Sequence, residues 1–359
     1  APLAEGGGEP EVHEALAHAL RYLGEFDAAL RHRERAFDGY RARGDRRAAG
    51  RTATWLGYDR ALLRGEVSVA RGWFSRAGRL LEDEGEVPEQ GLLAFCRGRA
   101  GMLLGGDPVA AREDGALARR IGEAVGDVDL EILGLTLEAL ARIRTGEVAA
   151  GMLQLDEAAA AAAAGELAAA TNTGTVCCAV IGACENVQDL DRAAQWCGTL
   201  EEYCVRTQVE ELLAFCRSHM ASVLLARGRL AEAEAHLEEA LEAFARGAPA
   251  LRYDGLVRLA MLRCLQGRHE EMRAICDEVA WHPRALLCRA QAAFQDHDVA
   301  EADRLVERYL RDLPPDDRLG AAVALELRAR VAIAQGRPAD AVGAAARLAD
   351  TAQVAGTEQ

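Results

Sequence analysis

The chain has 359 residues, 42 basic against 57 acidic side chains, a formal net charge of −15, half of its residues hydrophobic and only 5% aromatic. Every basic residue is arginine, and so acidic a chain does not supply the clustered positive charge that phosphate binding requires, which argues against direct nucleic-acid binding by this segment. No secretory signal is present and no apolar run reaches the ~20 residues of a membrane span, so the expectation is a cytoplasmic protein with no membrane contact.

Residues 1–10 are rich in glycine and read as a linker. From residue 11 onward a unit of about 40 residues recurs, each copy an apolar helix, a tight turn and a second helix. The turns carry Gly24, Gly65, Gly106, Gly146, Gly228, Gly267 and Gly336, with Gln188 and His297 in the matching places where glycine is missing. Five residues later stands a small or flexible side chain: Ala29, Ala70, Ala111, Gly151, Ala193, Ala233, Met272, Ala302 and Ala341. A bend needs a left-handed residue and a close helix crossing needs a small one, and this spacing supplies both. The predicted fold is all-α, a right-handed α-solenoid of about nine hairpins over residues 11–359, read as one domain. The end, Thr351 to Gln359, follows the final hairpin without a polar cap, so the chain is expected to be part of a larger protein.

Particular segments refine this picture. Arg31 to Arg47 is the richest basic stretch, but Glu34, Asp38 and Asp45 interleave with its arginines, as on a solvated helix face. The six residues Leu92 to Arg97 recur at Leu212 to Arg217 and confirm the register. Asp156-Glu157 followed by seven alanines is a strong helix. Six of the ten cysteines fall between Cys177 and Cys216, without the CxxC pairs that announce zinc. Cys177 and Cys184, like Cys197 and Cys204, lie two turns apart on one helix face, too far for a disulfide. Packing as small hydrophobes is their expected role, and Cys216 with His219 is a weak start for a metal site. Asp296-His297-Asp298 falls at a turn where acids cap the next helix, and Trp281-His282-Pro283 ends one helix and turns the chain. No phosphate loop or nucleophile elbow occurs. Adjacent carboxylates such as Glu201-Glu202 diverge around a helix, so no catalytic constellation, cofactor or metal site is expected.

In the sixth unit Met220, Ala221, Leu224, Gly228, Ala233, Leu237 and Ala240 fall at the packing positions of the tetratricopeptide repeat (TPR), which the unit resembles. Tyr58, Gly65, Ala70, Phe74 and Ala77 do the same in the second. A wider resemblance rests on Gly44 to Ala49, Gly72 to Ala77, Leu155 to Ala158, Val176 to Cys184, Asp191 to Trp196 and Phe215 to Arg217. These segments resemble the repeat region of large actinobacterial LuxR-type transcriptional regulators. That resemblance implies a signalling parent protein with an output domain such as helix-turn-helix, and a sensing or partner-binding role for this segment.

Carrying the repeat's inward-facing positions onto the first helices gives Trp55, Asp59, Cys96, Ala100, Thr136, Cys178, Glu185, Ser218, Ser222 and Met261 as groove candidates. They describe a small, apolar surface with few charges, suited to a protein, a peptide or an apolar small molecule. The leading expectation is a non-catalytic interaction and sensing domain, with self-association as a further possibility. The alternative is an enzyme or enzyme accessory built on the cysteine-rich middle.

Overall fold

The computed structural model describes residues 9–207, 210–247, 252–280 and 282–355, and among them the regular elements are eighteen α-helices. They pair in chain order as α1 (Pro10–Tyr22) with α2 (Phe26–Ala42), α3 (Arg46–Arg64) with α4 (Val67–Leu81), and α5 (Pro88–Leu103) with α6 (Pro108–Val125). The middle of the array is α7 (Val128–Thr145) with α8 (Val148–Ala164), α9 (Ala170–Asn186) with α10 (Leu190–Thr207), and α11 (Glu210–Ala226) with α12 (Leu230–Gly247). It ends with α13 (Arg252–Leu265) and α14 (His269–Glu278), α15 (Pro283–Gln295) and α16 (Val299–Asp312), and α17 (Arg318–Ala334) and α18 (Pro338–Ala355). The result is an all-α solenoid of helical hairpins. Pro10, the last residue of the expected linker, opens α1. Residues 1–8 and 356–359 lie outside the described residues, as does Trp281.

Each bend is closed by one residue in the left-handed region, as the sequence requires. Gly24, Gly65, Gly146, Gly228, Gly267 and Gly336 all have φ between 65 and 101°. Gln188 and His297 take the same conformation at φ 61° and 63°, a strain of roughly 1–2 kcal/mol for a residue with a Cβ. The N–H of Asp189 reaches the Cys184 carbonyl and that of Asp298 the Ala293 carbonyl, the Schellman closure that satisfies the orphan end of a helix. Gln188 also donates its side-chain amide to the Glu185 carbonyl at 2.8 Å.

One turn differs from expectation by a residue. Gly105, not Gly106, takes positive φ between α5 and α6. Gly106 is needed for a different reason, since its N–H lies 2.6 Å from the Gly101 carbonyl and a Cβ there would stand 2.9 Å from Gly101 Cα.

Packing follows from the small residues. Ala29, Ala70, Ala111, Ala193, Ala233, Met272, Ala302 and Ala341 are buried, as is Gly151. The tightest crossing lies between two hairpins and was not visible in the turn pattern. Gly115 and Gly122 on α6 and Gly134 on α7 let two antiparallel backbones touch. A Cβ at Gly115 would lie 2.5 Å from Glu138 N, one at Gly122 2.4 Å from Glu131 N, and one at Gly134 2.2 Å from Arg119 N. One buried cluster runs without a break from Leu30 to Val223, and smaller clusters continue through the later hairpins.

The array also curls back on itself. Helices α17 and α18 touch α7 and α8, Leu319 packs on the long core, and Arg144 forms an ion pair with the buried Asp317. Arg284, at the start of α15, donates to Asn186 Oδ1 at 2.6 Å. The ninth hairpin is thereby seamed to the fourth.

Two glycines of opposite surroundings test the crossing. Gly134→Ala is expected to cost about 1–3 kcal/mol or more, because backbone on α6 has to move. Gly72→Ala, with nothing within 4 Å of its Cβ, is expected to gain up to about 1 kcal/mol. Urea unfolding of both variants checks this, and equal midpoints would refute the crossing.

Candidate binding face on the first helices

The first helix of each hairpin carries the side chains proposed for the groove, and the structure draws several of them into two charged knots. At the amino-terminal end Asp59 on α3 is fully buried. It accepts from Arg33 Nε at 2.6 Å and from Arg21 Nε at 2.7 Å. Arg33 is itself fully buried and lies over the Trp55 ring at 5.2 Å, while Trp55 meets His18 and Tyr58 edge-on. A buried carboxylate without such partners would be expelled or protonated, so the two guanidiniums are what permit Asp59 to sit there. The knot ties α1, α2 and α3 together.

A second knot forms in the middle of the array. Glu185 at the end of α9 accepts from Arg258 Nη2 of α13 at 3.1 Å. The same guanidinium donates from Nε to Ser222 Oγ at 2.6 Å and sets Nη2 2.6 Å from His219 Nδ1. His219 Nδ1 lies 3.0 Å from Glu185 Oε1. Burial alone would raise the Glu185 carboxyl, but Arg258 and then His219 outweigh it and hold it below the usual carboxylate range. This network spans three successive first helices.

The expected set of exposed groove side chains is therefore corrected. Asp59, Cys96, Ala100, Thr136 and Ser218 are at most 3% exposed, because close approach of first helices buries the face that a one-helix projection assigns to the groove. They pack between helices and present no side chain to a ligand. Thr136 bonds back to the Ile132 carbonyl at 2.7 Å, Cys96 lies beside Asp59, and Glu185 is only 8% exposed. Trp55, Cys178 and Ser222 are half-buried and Met261 is exposed. Leu265, one turn beyond Met261, is 53% exposed and extends that apolar stripe along α13.

Arg33 and Arg258 were missed by the sequence reading. Arg258 stands alone between Leu256-Val257 and Leu259-Ala260, and a single charge in an apolar helical stretch was the available signal. Arg33 sits among Arg31, His32, Glu34 and Arg35, where nothing local sets it apart.

The cysteines are packing residues for the most part. Cys178 is half-buried and the other nine are buried, and none is in a disulfide among the described residues. Burial pushes the Cys184 and Cys197 thiols up to about 12 and that of Cys264 up to about 11. Two pairs of thiols face each other between neighbouring hairpins, Cys204 with Cys216 and Cys276 with Cys288. Their common 12-residue spacing had no place in a reading confined to single helices. Among the described residues no group of three or more His, Cys, Asp or Glu is placed to hold a metal ion, and no helix is long and apolar enough to cross a membrane.

No protein-family model matches the chain, and no curated protein matches it. Among solved structures it is similar to a Rap protein complexed with competence and sporulation factor, with a TM-score of 0.65, 12% identity, and 98% of this chain and 99% of that one covered. It is also similar to the apo form of RapI, with a TM-score of 0.50, 11% identity, and 96% and 97% of the two chains covered. The apo form of the quorum sensor NprR from B. thuringiensis matches at a TM-score of 0.45 and 13% identity, over 95% and 98% of the two chains. The shared feature is the fold, a solenoid of TPR-like helical hairpins.

The central knot gives a pH-dependent prediction. Glu185→Gln is expected to cost about 3 kcal/mol near neutral pH, because Arg258 stays buried with its carboxylate partner gone. The folded-state pKa of Glu185 is depressed, so its contribution is full above the unfolded carboxylate range near 4.3 and fades as pH falls through the lower folded value. Denaturant midpoints at neutral and acid pH check this: the gap between wild type and variant should narrow in acid, and a constant gap would refute the assignment.

Proposed function

We propose that this chain is a non-catalytic interaction and sensing region that takes a peptide or a segment of a partner protein along the side lined by its first helices. The observation that carries this reading is the likeness over almost the whole chain to a Rap protein whose structure is a complex with competence and sporulation factor. The chemistry of the face agrees with it. Outside the two charged knots the partly or fully exposed side chains on this face are Trp55, Cys178, Met261 and Leu265, mostly apolar or small. Such a surface favours an apolar peptide or apolar small molecule over a highly charged ligand.

Sensing has a physical basis in the seam between the ninth hairpin and the fourth. A ligand that touches hairpins on both sides of the array binds one curvature better than another and shifts the population by that difference in affinity. The LuxR-type regulator reading extends the proposal. It rests on the segments from Gly44 to Ala49, Val176 to Cys184 and Asp191 to Trp196, and it assigns DNA contact to a helix-turn-helix elsewhere in the parent protein.

A screen of short fluorescent apolar peptides against the chain tests the binding reading. Met261→Glu and Leu265→Glu change exposed side chains and should leave the unfolding midpoint in place while weakening a bound peptide at least about tenfold, or about 1.4 kcal/mol. Binding that ignores both changes would refute the assigned face. The coding region adjoining this segment tests the regulator reading: an adjoining helix-turn-helix sequence supports it, and a reading frame without one overturns it.

A further inference from the structure

A depression of about 250 Å³, lined by Arg41, Arg46, Arg76, Arg79 and Leu80, lies where the end of α2 and the start of α3 meet α4. Four guanidiniums around one small space are a local inversion of charge in a chain of net −15. Arg46 is held in place by the Leu80 carbonyl at 3.2 Å, the Arg79 carbonyl at 3.3 Å and Asp83 at 3.1 Å. Arg76 stacks over Phe37 at 4.5 Å and over Trp73 at 5.3 Å, and Arg41 approaches the same Phe37 ring at 6.0 Å. Among the described residues no ion pair with an acid is formed by Arg41, Arg76 or Arg79.

Helix dipoles account for part of this, since Arg41 and Arg79 stand in the last turns of α2 and α4, where a cation is favoured. They do not account for convergence on one space, which sets like charges against each other. Aromatic stacking holds Arg76 with its planar fork already ordered, the geometry that binds carboxylate or phosphate oxygens two at a time. The rim limits what enters. Asp83 and Glu84 flank Arg46, so a long polyanion such as nucleic acid runs onto like charge, while a short anionic stretch does not.

We propose that the depression formed by Arg41, Arg46, Arg76 and Arg79 is a docking site for a short acidic peptide segment of a partner protein, separate from the first-helix face. Charge complementarity carries the choice of occupant. Arg41, Arg46 and Arg79 are solvent-exposed and Arg76 is half-buried against two rings, so the site needs no rearrangement to open.

The test uses the whole chain and fluorescence anisotropy with a labelled Glu-Asp-Glu-Asp peptide, with inorganic phosphate and a DNA duplex as competitors. The peptide is expected to bind and to be released by salt. Arg76→Gln with Arg79→Gln should weaken it at least about tenfold, Arg41→Gln alone several-fold, and Arg71→Gln, an exposed arginine outside the depression, less than about twofold. Thermal melts show whether the variants fold, and Arg41→Gln, which leaves the Arg76 stack intact, keeps the test decisive if the double variant does not. Absence of binding, equal binding by wild type and the depression variants, or displacement by phosphate or DNA at concentrations below those of unlabelled peptide would each overturn the proposal.

Discussion

Every hairpin turns through one residue held in the left-handed region, and the rest of the geometry is built outward from that bend. The Schellman closure behind it fixes where the first helix stops, which sets the phase at which the second begins. Five positions later, or six in the third hairpin, a residue that is small in every hairpin but the seventh, where it is Met272, meets the first helix at their closest point. Where glycine is replaced by Gln188 or His297, the backbone keeps the conformation and accepts the strain, because hydrogen bonds from Asp189 and Asp298 and the packing of two helices over-determine it. Hairpins of one shape stack with one rotation, and an array with a consistent curve is the outcome.

Stacking alone does not fix the relation between non-adjacent parts of the array, and buried charge does part of that task. Arg33 and Arg258 each reach from one helix to carboxylates on others, and a buried guanidinium tolerates few geometries. Apolar contacts at the same positions would allow neighbouring helices to slide by small amounts at little cost. An Arg–carboxylate fork does not, since a shift of an ångström leaves a desolvated charge without its partner. The knots therefore set the register between first helices, while the small residues set their distance. They also bury carboxylates that a projection from single helices assigns to the groove, while Met261 and Leu265 stay exposed on α13.

The fold was legible because its determinants are local and periodic. Gly24, Ala29 and their counterparts declare themselves by spacing, and the error at Gly105 and Gly106 is one residue within a Gly-Gly pair where spacing gives no preference. The site was much less legible. Projecting inward positions from a single helix named Trp55, Cys178, Ser222 and Met261, which are partly or fully exposed, together with Asp59, Cys96, Ala100, Thr136, Glu185 and Ser218, which neighbouring helices bury. The glycines at 115, 122 and 134 could have been noticed, since three glycines inside strong helices carry a cost that only close approach offsets. The seam was beyond reach: Arg144 and Asp317 are separated by 173 positions, and no local pattern connects them.

That seam changes what kind of object the array is. In an open solenoid a repeat is gained or lost with little effect beyond its neighbours, and repeat number drifts freely over evolutionary time. Here the ninth hairpin has to arrive at the fourth with the correct height and rotation, so deleting or duplicating any hairpin from the fifth to the eighth would miss the contact by a whole repeat. Repeat number becomes a fixed quantity, as subunit number is in a closed ring. Outside the knot of Glu185, His219, Ser222 and Arg258, individual residues in the intervening hairpins remain open to change, while the number of hairpins is not.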